Sequence, residues 1–417
     1  MRNQIATRYN IVVLAILAIL AVTTLALTGQ ALAEEEQPDT TFKVYWKDGL
    51  RLDTGDGNVR LKIGGRIYND WTWWEKSDEV QSVTGSTRNG SEFRTARLYV
   101  AGEIYERVIF KGQYDFANDT GANFKDVYIG FTDVPRKGTK VLIGHLKEPF
   151  SLEELTSSRF ITFMERGLPN LFSVGRQTGV TVHNNFFDKR LNVGFAVSQA
   201  TDDDQGSTSG NKYSVTTRIS GQPWTNGSDR LIHLGFSHSY GKFDKNETRF
   251  RQRPEIHKSP RFVDTGTFSA DNAHNMMGEA ALVLGPFSLQ SEVGGAVVDS
   301  SAGDDPSFFG AYVFGSWFIT GEHRNYKAGS DAFSRVKPNN NLFQGGWGAW
   351  EVALRYSHLD LDDGNIKGGK LDNITAGLNW YWNPNMRMMF NFINADLDRD
   401  SADADTQAFM IRTQIDF

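Results

Sequence analysis

The sequence predicts an all-β chain, a 16-stranded antiparallel transmembrane β-barrel with an inward-folded constriction loop. Three observations carry this reading. Polar and apolar residues alternate with a period of two over many short stretches. The links between those stretches are tight at one end and long at the other. One segment, "KEPFSLEELTSSRFITFMERGLPNLFSVGRQTG" (Lys147–Gly179), interrupts the rhythm altogether.

At the start of the chain, Arg2 and Arg8 precede an apolar run, Ile11–Leu27, and Ala31-Leu32-Ala33 stands just before Glu34. A basic start, an apolar stretch and an A-x-A site describe a secretory signal peptide over residues 1–33; the run is a little short for a spanning helix. Its removal would leave 384 of 417 residues, with 42 Lys+Arg against 50 Asp+Glu. That mild acidity argues against a nucleic-acid partner, which selects a basic surface. Cysteine is absent, which removes disulfides and thiolate metal sites. The 41 glycines and the 29 Phe, 13 Tyr and 10 Trp coexist with a negative mean hydropathy. Such a mixture suits a sheet with one apolar and one wet face better than a packed α/β core.

Residues 34–59 show no clear pattern, and the barrel is placed at 60–417. The first strand is "LKIGGRIYNDWTWW", in which Leu61, Ile63, Ile67, Trp71 and Trp73 oppose Lys62, Arg66, Tyr68, Asp70 and Thr72. Further strands are expected to start near residues 93, 107, 123, 140, 178, 191, 212, 231, 278, 287, 307, 347, 371 and 386. In "MRMMFNFINADL", Met386, Met388, Phe390 and Phe392 stand against Arg387 and Asn391. The last strand, from near 407, closes on "AFMIRTQIDF", with Phe409, Ile411, Thr413, Ile415 and Phe417 on one face. Sixteen strands in 384 residues allow 24 residues for each strand and its connection, enough for the ~9–11 residues that cross a bilayer with tilt.

Tight links follow the even strands: "YER" (Tyr105–Arg107), "FDKR" (Phe187–Arg190), "GP" (Gly285-Pro286) and "NPN" (Asn383–Asn385). Longer polar links follow most odd strands, at 76–92, 147–177, 200–211, 242–277, 297–306, 360–370 and 398–406. The long link 321–344 breaks this rule. Trp71, Trp73 and Trp74, and Trp380, Tyr381 and Trp382, gather near strand ends as membrane-interface girdles would. A soluble β-sandwich would instead bury its aromatics between two sheets. In lipid an open sheet edge has no partner, so the sheet must close, and sixteen strands enclose a water-filled lumen. The segment 147–177 is long enough to fold into that lumen and narrow it; the alternative is an external loop at subunit or surface contacts. Acidic runs such as Asp202–Ser207, Leu359–Asn365 and Leu397–Asp405 are either solvated loops or bridges to divalent cations at a lipopolysaccharide surface.

The stretches "LKIGGRIYNDW", "EFRTARLYVAGE", "NFKDVYIGF", "EPFSLEELTSSRFITFMERGLP" and "ITAGLNWYWNPNMRMMFNFINADL…AFMIRTQIDF" resemble the phosphate-selective porin O and P family, in order and over most of the chain. The resemblance implies a homotrimeric outer-membrane channel whose third loop, arginines and a lysine form an anion site for phosphate or polyphosphate. Carried over, its residues are Arg66, Arg94, Asp126, Ser157, Ser158 and Arg166, with Arg159 beside them. Two positions depart from the pattern: Thr95 replaces a second arginine and Glu154 replaces a lysine. Alternation puts Thr95, Arg97 and Tyr99 on one face, so Arg97 can restore the missing charge, whereas Arg94 points outward unless a bulge re-aims it. Glu154 can pair with Arg159 or Arg166. At about 4 Å two charges interact by ~1 kcal/mol in water and ~4 at an effective dielectric near 20, enough to erase a tenfold preference. A general or weakly cation-tolerant diffusion channel therefore stands as the alternative. Lys111, Arg218, Arg355 and Arg387 also face inward, among Asp70, Asp126, Glu292 and Glu351. Neither G-x-S-x-G nor H-E-x-x-H occurs, so no catalytic residue is assigned. His233 and His238 lie on opposite strand faces, and neither a metal nor a cofactor is expected.

Overall fold

Each alternating stretch becomes a strand, and the strands pair in chain order until the last meets the first. The computed structural model describes residues 39 and 41–417, except 118–120, 201–212, 244–245, 301–302, 304 and 401. The expected signal peptide and the acidic run Asp202–Ser207 lie outside the described residues. A hairpin of β1 (Phe42–Trp46) and β2 (Leu50–Thr54) comes first. The wall begins with β3 (Val59–Glu75), β4 (Gly90–Ile104), β5 (Val108–Asp115), β6 (Asn123–Thr132) and β7 (Thr139–Lys147). It continues with β8 (Arg176–Phe186), β9 (Leu191–Gln199), β10 (Tyr213–Thr225) and β11 (Arg230–Lys242). Four two-residue strands follow within one connection: β12 (Glu247–Thr248), β13 (Arg251–Gln252), β14 (Val263–Asp264) and β15 (Phe268–Ser269). The wall resumes with β16 (Asn272–Leu284), β17 (Phe287–Asp299) and β18 (Ser307–Phe318). After β19 (Tyr326–Lys327) and β20 (Ala332–Phe333), it ends with β21 (Ala349–Asp363), β22 (Ile366–Asn383), β23 (Met386–Arg399) and β24 (Ala402–Asp416).

Closure runs from Gln407 opposite Glu75 to Asp416 opposite Arg66. Where β24 stops, β2 takes over the same edge of β3, from Leu50 opposite Ile63 to Asp53 opposite Arg60. Part of segment 34–59 thus extends the sheet at its short-turn end. Phe417 exchanges both backbone hydrogen bonds with Gly65, at 2.8 and 3.0 Å. A Cβ at Gly65 would lie 2.6 Å from the Arg97 carbonyl oxygen, so only glycine fits there.

The expected faces hold. On β3, Ile67, Trp71 and Trp73 are exposed toward lipid, while Arg66, Tyr68, Asp70 and Thr72 are buried toward the lumen. Trp74 corrects the girdle: it turns inward onto Phe262, with ring centroids 6.2 Å apart, because adjacent strand residues cannot share a face. Tyr381 is likewise buried, and Trp380 stacks on Trp350 at 5.0 Å. Three strands start earlier than expected, at 272, 366 and 402, where polar residues continue the pairing past the apolar stretch. The expected 147–177 loop is bounded by Lys147 on β7 and Arg176 on β8.

Three connections fold into the lumen, and only one was expected there. The third loop, 148–175, contributes Met164, Leu168 and Phe172 to an apolar cluster that also takes Phe250, Ile256, Phe262 and Val263 from the fifth loop, 243–271. The sequence marked the fifth loop, within 242–277, only as one of the longer polar links. The exceptional long link, 319–348, enters from the opposite end: Phe333 packs with Leu152, and its N–H donates to Thr156 Oγ1 at 3.3 Å. Asp331, in a left-handed conformation at φ 42, anchors it by accepting from Ser220 Oγ at 2.7 Å and Tyr326 OH at 3.2 Å.

Candidate functional site

The third loop carries only a one-turn helix, Leu152–Leu155, and a 3-10 turn, Leu168–Phe172. Its backbone groups therefore need partners from elsewhere, and the wall supplies them. Glu292 accepts from the N–H groups of Leu152 (2.7 Å) and Glu153 (3.2 Å) at the helix start. Ser357 Oγ accepts from Leu168 N–H at 2.9 Å. In return, wall side chains donate to loop carbonyls: Arg387 to Ile161 (2.9 Å), Asn379 to Thr162 (2.8 Å), Arg412 to Met164 (2.6 Å) and Arg355 to Glu165 (3.0 Å). Arg355 and Arg387, read from the sequence only as inward-facing, are clamps on the loop.

Against the opposite wall this trace leaves a cavity of about 200 Å³, lined by nine cationic side chains. Six carboxylates lie within ion-pair distance of them. Asp115 meets Arg97 (2.6 Å), and Asp126 bridges Lys111 (2.5 Å) and Arg176 (2.8 Å). Glu154 meets Lys147 (2.8 Å) and Arg166 (3.4 Å), while Glu165 meets Arg94 (2.8 Å) and Arg412 (3.0 Å). Asp70 holds Arg412 (2.7 Å), and Asp416 approaches Arg159 (3.7 Å). Nine cations against six carboxylates leave a surplus of three positive charges.

Arg66 stands apart. Among the described residues no carboxylate lies within ion-pair distance of it; it donates from Nη1 to Ser158 Oγ at 2.9 Å and to Ser157 Oγ at 3.4 Å. It is 5% exposed, and its Nε–H is buried without an acceptor. Tyr68 OH lies 3.4 Å from Ser158 Oγ, and Arg159 Nε donates to Ser157 Oγ at 3.3 Å. A guanidinium with an unused donor beside two hydroxyls can make charge-assisted hydrogen bonds to an oxoanion.

The other expected residues divide by what they touch. Arg94 does face the lumen: the β3–β4 pairing skips it, from Tyr68 opposite Thr95 to Asn69 opposite Phe93. This bulge re-aims the side chain, which grips Glu165 through Nε (2.8 Å) and Nη2 (3.0 Å). Thr95 lines the cavity, with its hydroxyl donating to the Arg94 carbonyl at 2.7 Å. Arg97 is present as expected but is matched by Asp115. Arg166 spends its guanidinium on the loop, donating to the carbonyls of Glu153 (2.9 Å), Glu154 (3.2 Å) and Thr156 (3.1 Å). Glu154 pairs with Arg166 but not with Arg159; its second partner is Lys147, which the sequence reading passed over. Burial works against the charged form of Glu154, yet Arg166 and then Lys147 outweigh it and hold the carboxyl down to about 2.

Sequence reasoning also missed Arg176, Arg412 and Glu165, whose partners lie many residues away along the chain. It missed three arginines of the fifth loop as well. Arg251, Arg253 and Arg261 have no carboxylate within ion-pair distance among the described residues. Burial, and then Arg253 and Arg251, lower the Arg261 guanidinium to about 10, so it stays charged at neutral pH. Burial and then Arg94 lower Arg253.

Comparisons with known proteins agree with this architecture. The family described as "Phosphate-selective porin O and P" matches residues 61–417. Porin O of Pseudomonas aeruginosa is 25% identical over 440 aligned positions, covering 94% of this chain and 97% of that protein. An uncharacterised protein of Caulobacter vibrioides is 28% identical, covering 84% of this chain and 71% of that one. An anion-selective porin from Comamonas acidovorans has a similar fold, with a TM-score of 0.54 at 13% identity, covering 86% of this chain and all of that one. A trimer form of OmpT from Vibrio cholerae gives 0.54 at 10% identity, covering 86% and 99%. With its closed 16-stranded wall and this match over nearly all of it, the chain is a bacterial outer-membrane channel, and it belongs to the phosphate-selective porin O and P family.

Proposed function

We propose that the channel passes small anions by diffusion and selects oxoanions, inorganic phosphate or polyphosphate, at the cavity under the third loop. The observation that carries this reading is Arg66, an uncompensated guanidinium with a buried free donor, flanked by Ser157 and Ser158. Arg159 completes the donor set. Arg94, Arg97, Asp126 and Arg166 fix the surrounding charge, and Thr95 and Glu154 tune it. An anion reaching the cavity exchanges part of its water for these donors, and the mobile hydroxyls release it again. The fifth-loop arginines draw anions toward the mouth. Subunits assemble as a homotrimer in membrane lipid, as the name of the OmpT trimer form suggests for a barrel of this fold. The extracellular acidic residues Asp372, Asp396 and Asp405, which oppose one another across β22, β23 and β24, meet the lipopolysaccharide side of the membrane.

A second reading, a general or weakly cation-tolerant diffusion channel, draws on the six carboxylates around the cavity. The reversal potential of the purified protein under a KCl gradient separates the two. Anion preference with chloride current blocked by added phosphate supports the oxoanion site. Cation preference without block supports the second reading and leaves the barrel untouched.

A further inference from the structure

Below the anion cavity lie two more, both bordered by the inward link 319–348. One, of about 280 Å³, runs between Lys62, Arg159 and link residues Ser330–Arg335. The other, of about 230 Å³, runs between Tyr128, Lys140, His183 and Gly329–Asp331. Leu155 lines the upper cavity and both lower ones. Among the described residues it is the only one that the upper cavity shares with the 230 Å³ cavity, and it shares the other boundary with Ser157 and Arg159.

Leu155 ends the one-turn helix and stays partly exposed, whereas Leu152 of the same turn is fully buried. Its backbone is held on both sides. Lys147 pairs with Glu154 at 2.8 Å, Phe333 N–H donates to Thr156 Oγ1 at 3.3 Å, and Arg166 donates to the carbonyls of Glu154 and Thr156. An apolar side chain is thus fixed at the point where a cation-lined chamber opens toward the short-turn end.

Resting on the anion-channel reading above, we propose that Leu155 is a specificity-determining residue, an apolar sill at the exit from the anion cavity into the 230 Å³ cavity. The donors of Arg66 and the serines replace an ion's water on the upper side. Leu155 offers no hydrogen bond, so an ion crossing it into the 230 Å³ cavity, away from Ser157 and Arg159, has lost those donors before water restores its shell below. Losing polar partners costs a strongly hydrated oxoanion more than it costs chloride. The sill therefore opposes the preference set by Arg66 and limits phosphate passage relative to chloride.

The test uses the full purified channel in planar bilayers, with KCl and then potassium phosphate as the only electrolyte. Leu155→Ser is expected to raise the ratio of phosphate to chloride conductance by about three-fold, and Leu155→Phe to lower it. In both variants the phosphate concentration that half-blocks chloride current stays within about two-fold of the parent, because the donors above are intact. A ratio unchanged in both variants overturns the sill, and so does a ratio that moves only together with half-block. A parent chloride current indifferent to phosphate defeats the oxoanion site instead, and the conductance ratio still judges Leu155.

Discussion

Replacing Arg66 by alanine isolates the one cation of the cavity that, among the described residues, has no carboxylate to answer for. Its loss strands no buried acid, unlike the loss of Arg97, which would leave Asp115 alone. The surplus of three charges falls to two, and Ser157 and Ser158 lose their shared donor. A hydrogen bond to a charged partner contributes ~1.5–3 kcal/mol. The Coulomb term at about 4 Å bounds the effect near ~4 kcal/mol at an effective dielectric of 20. At ~1.4 kcal/mol per tenfold, the phosphate concentration that half-blocks chloride current should rise roughly ten- to hundredfold. Single-channel recordings in KCl with titrated phosphate measure this directly, and unchanged heat-modified mobility on gels shows that the barrel is intact. Half-block within about three-fold of the parent, in a folded variant, would refute the reasoning about Arg66.

Three further outcomes follow from the same contacts. Glu154→Gln should increase anion preference at neutral pH. Because its carboxyl is held down to about 2, Glu154 stays ionised from pH 8 down to 4, and its pairing with Arg166 is lost only as the pH falls through that lowered value; reversal potentials of parent and variant should therefore stay apart throughout pH 4–8. Arg412→Met removes the clamp on the Met164 carbonyl and leaves Asp70 buried without its partner, a loss of ~3–5 kcal/mol that should appear as a lower unfolding temperature in detergent. Glu292→Ala strips the acceptor from two buried N–H groups of the third loop, at ~1–3 kcal/mol, and limited proteolysis should then cut within 148–175.

The wall was legible because its chemistry is local. Alternation assigns a face to every residue of a strand, and it placed Arg66, Thr95, Arg97 and Asp126 in the lumen. Applied one residue further, it would also have separated Trp73 from Trp74. Arg94 depended on something a strand cannot announce alone, the register of β4 against β3. The clamps on the third loop were hidden for a similar reason: Arg412 and Glu165, or Arg355 and Glu255, meet only after the ring has closed. The fifth loop and the link 319–348 carried no signal of their inward course. Their buried residues, Phe250, Ile256, Phe262 and Phe333, are scattered among polar ones without a period.

The carbonyls of Ile161, Thr162, Met164 and Glu165 are each held by a residue of β21 to β24. Transplanting the third loop alone into a foreign porin would therefore carry a sequence without the mould that shapes it. A graft that keeps the loop's shape has to bring the donors of β21 to β24 with it.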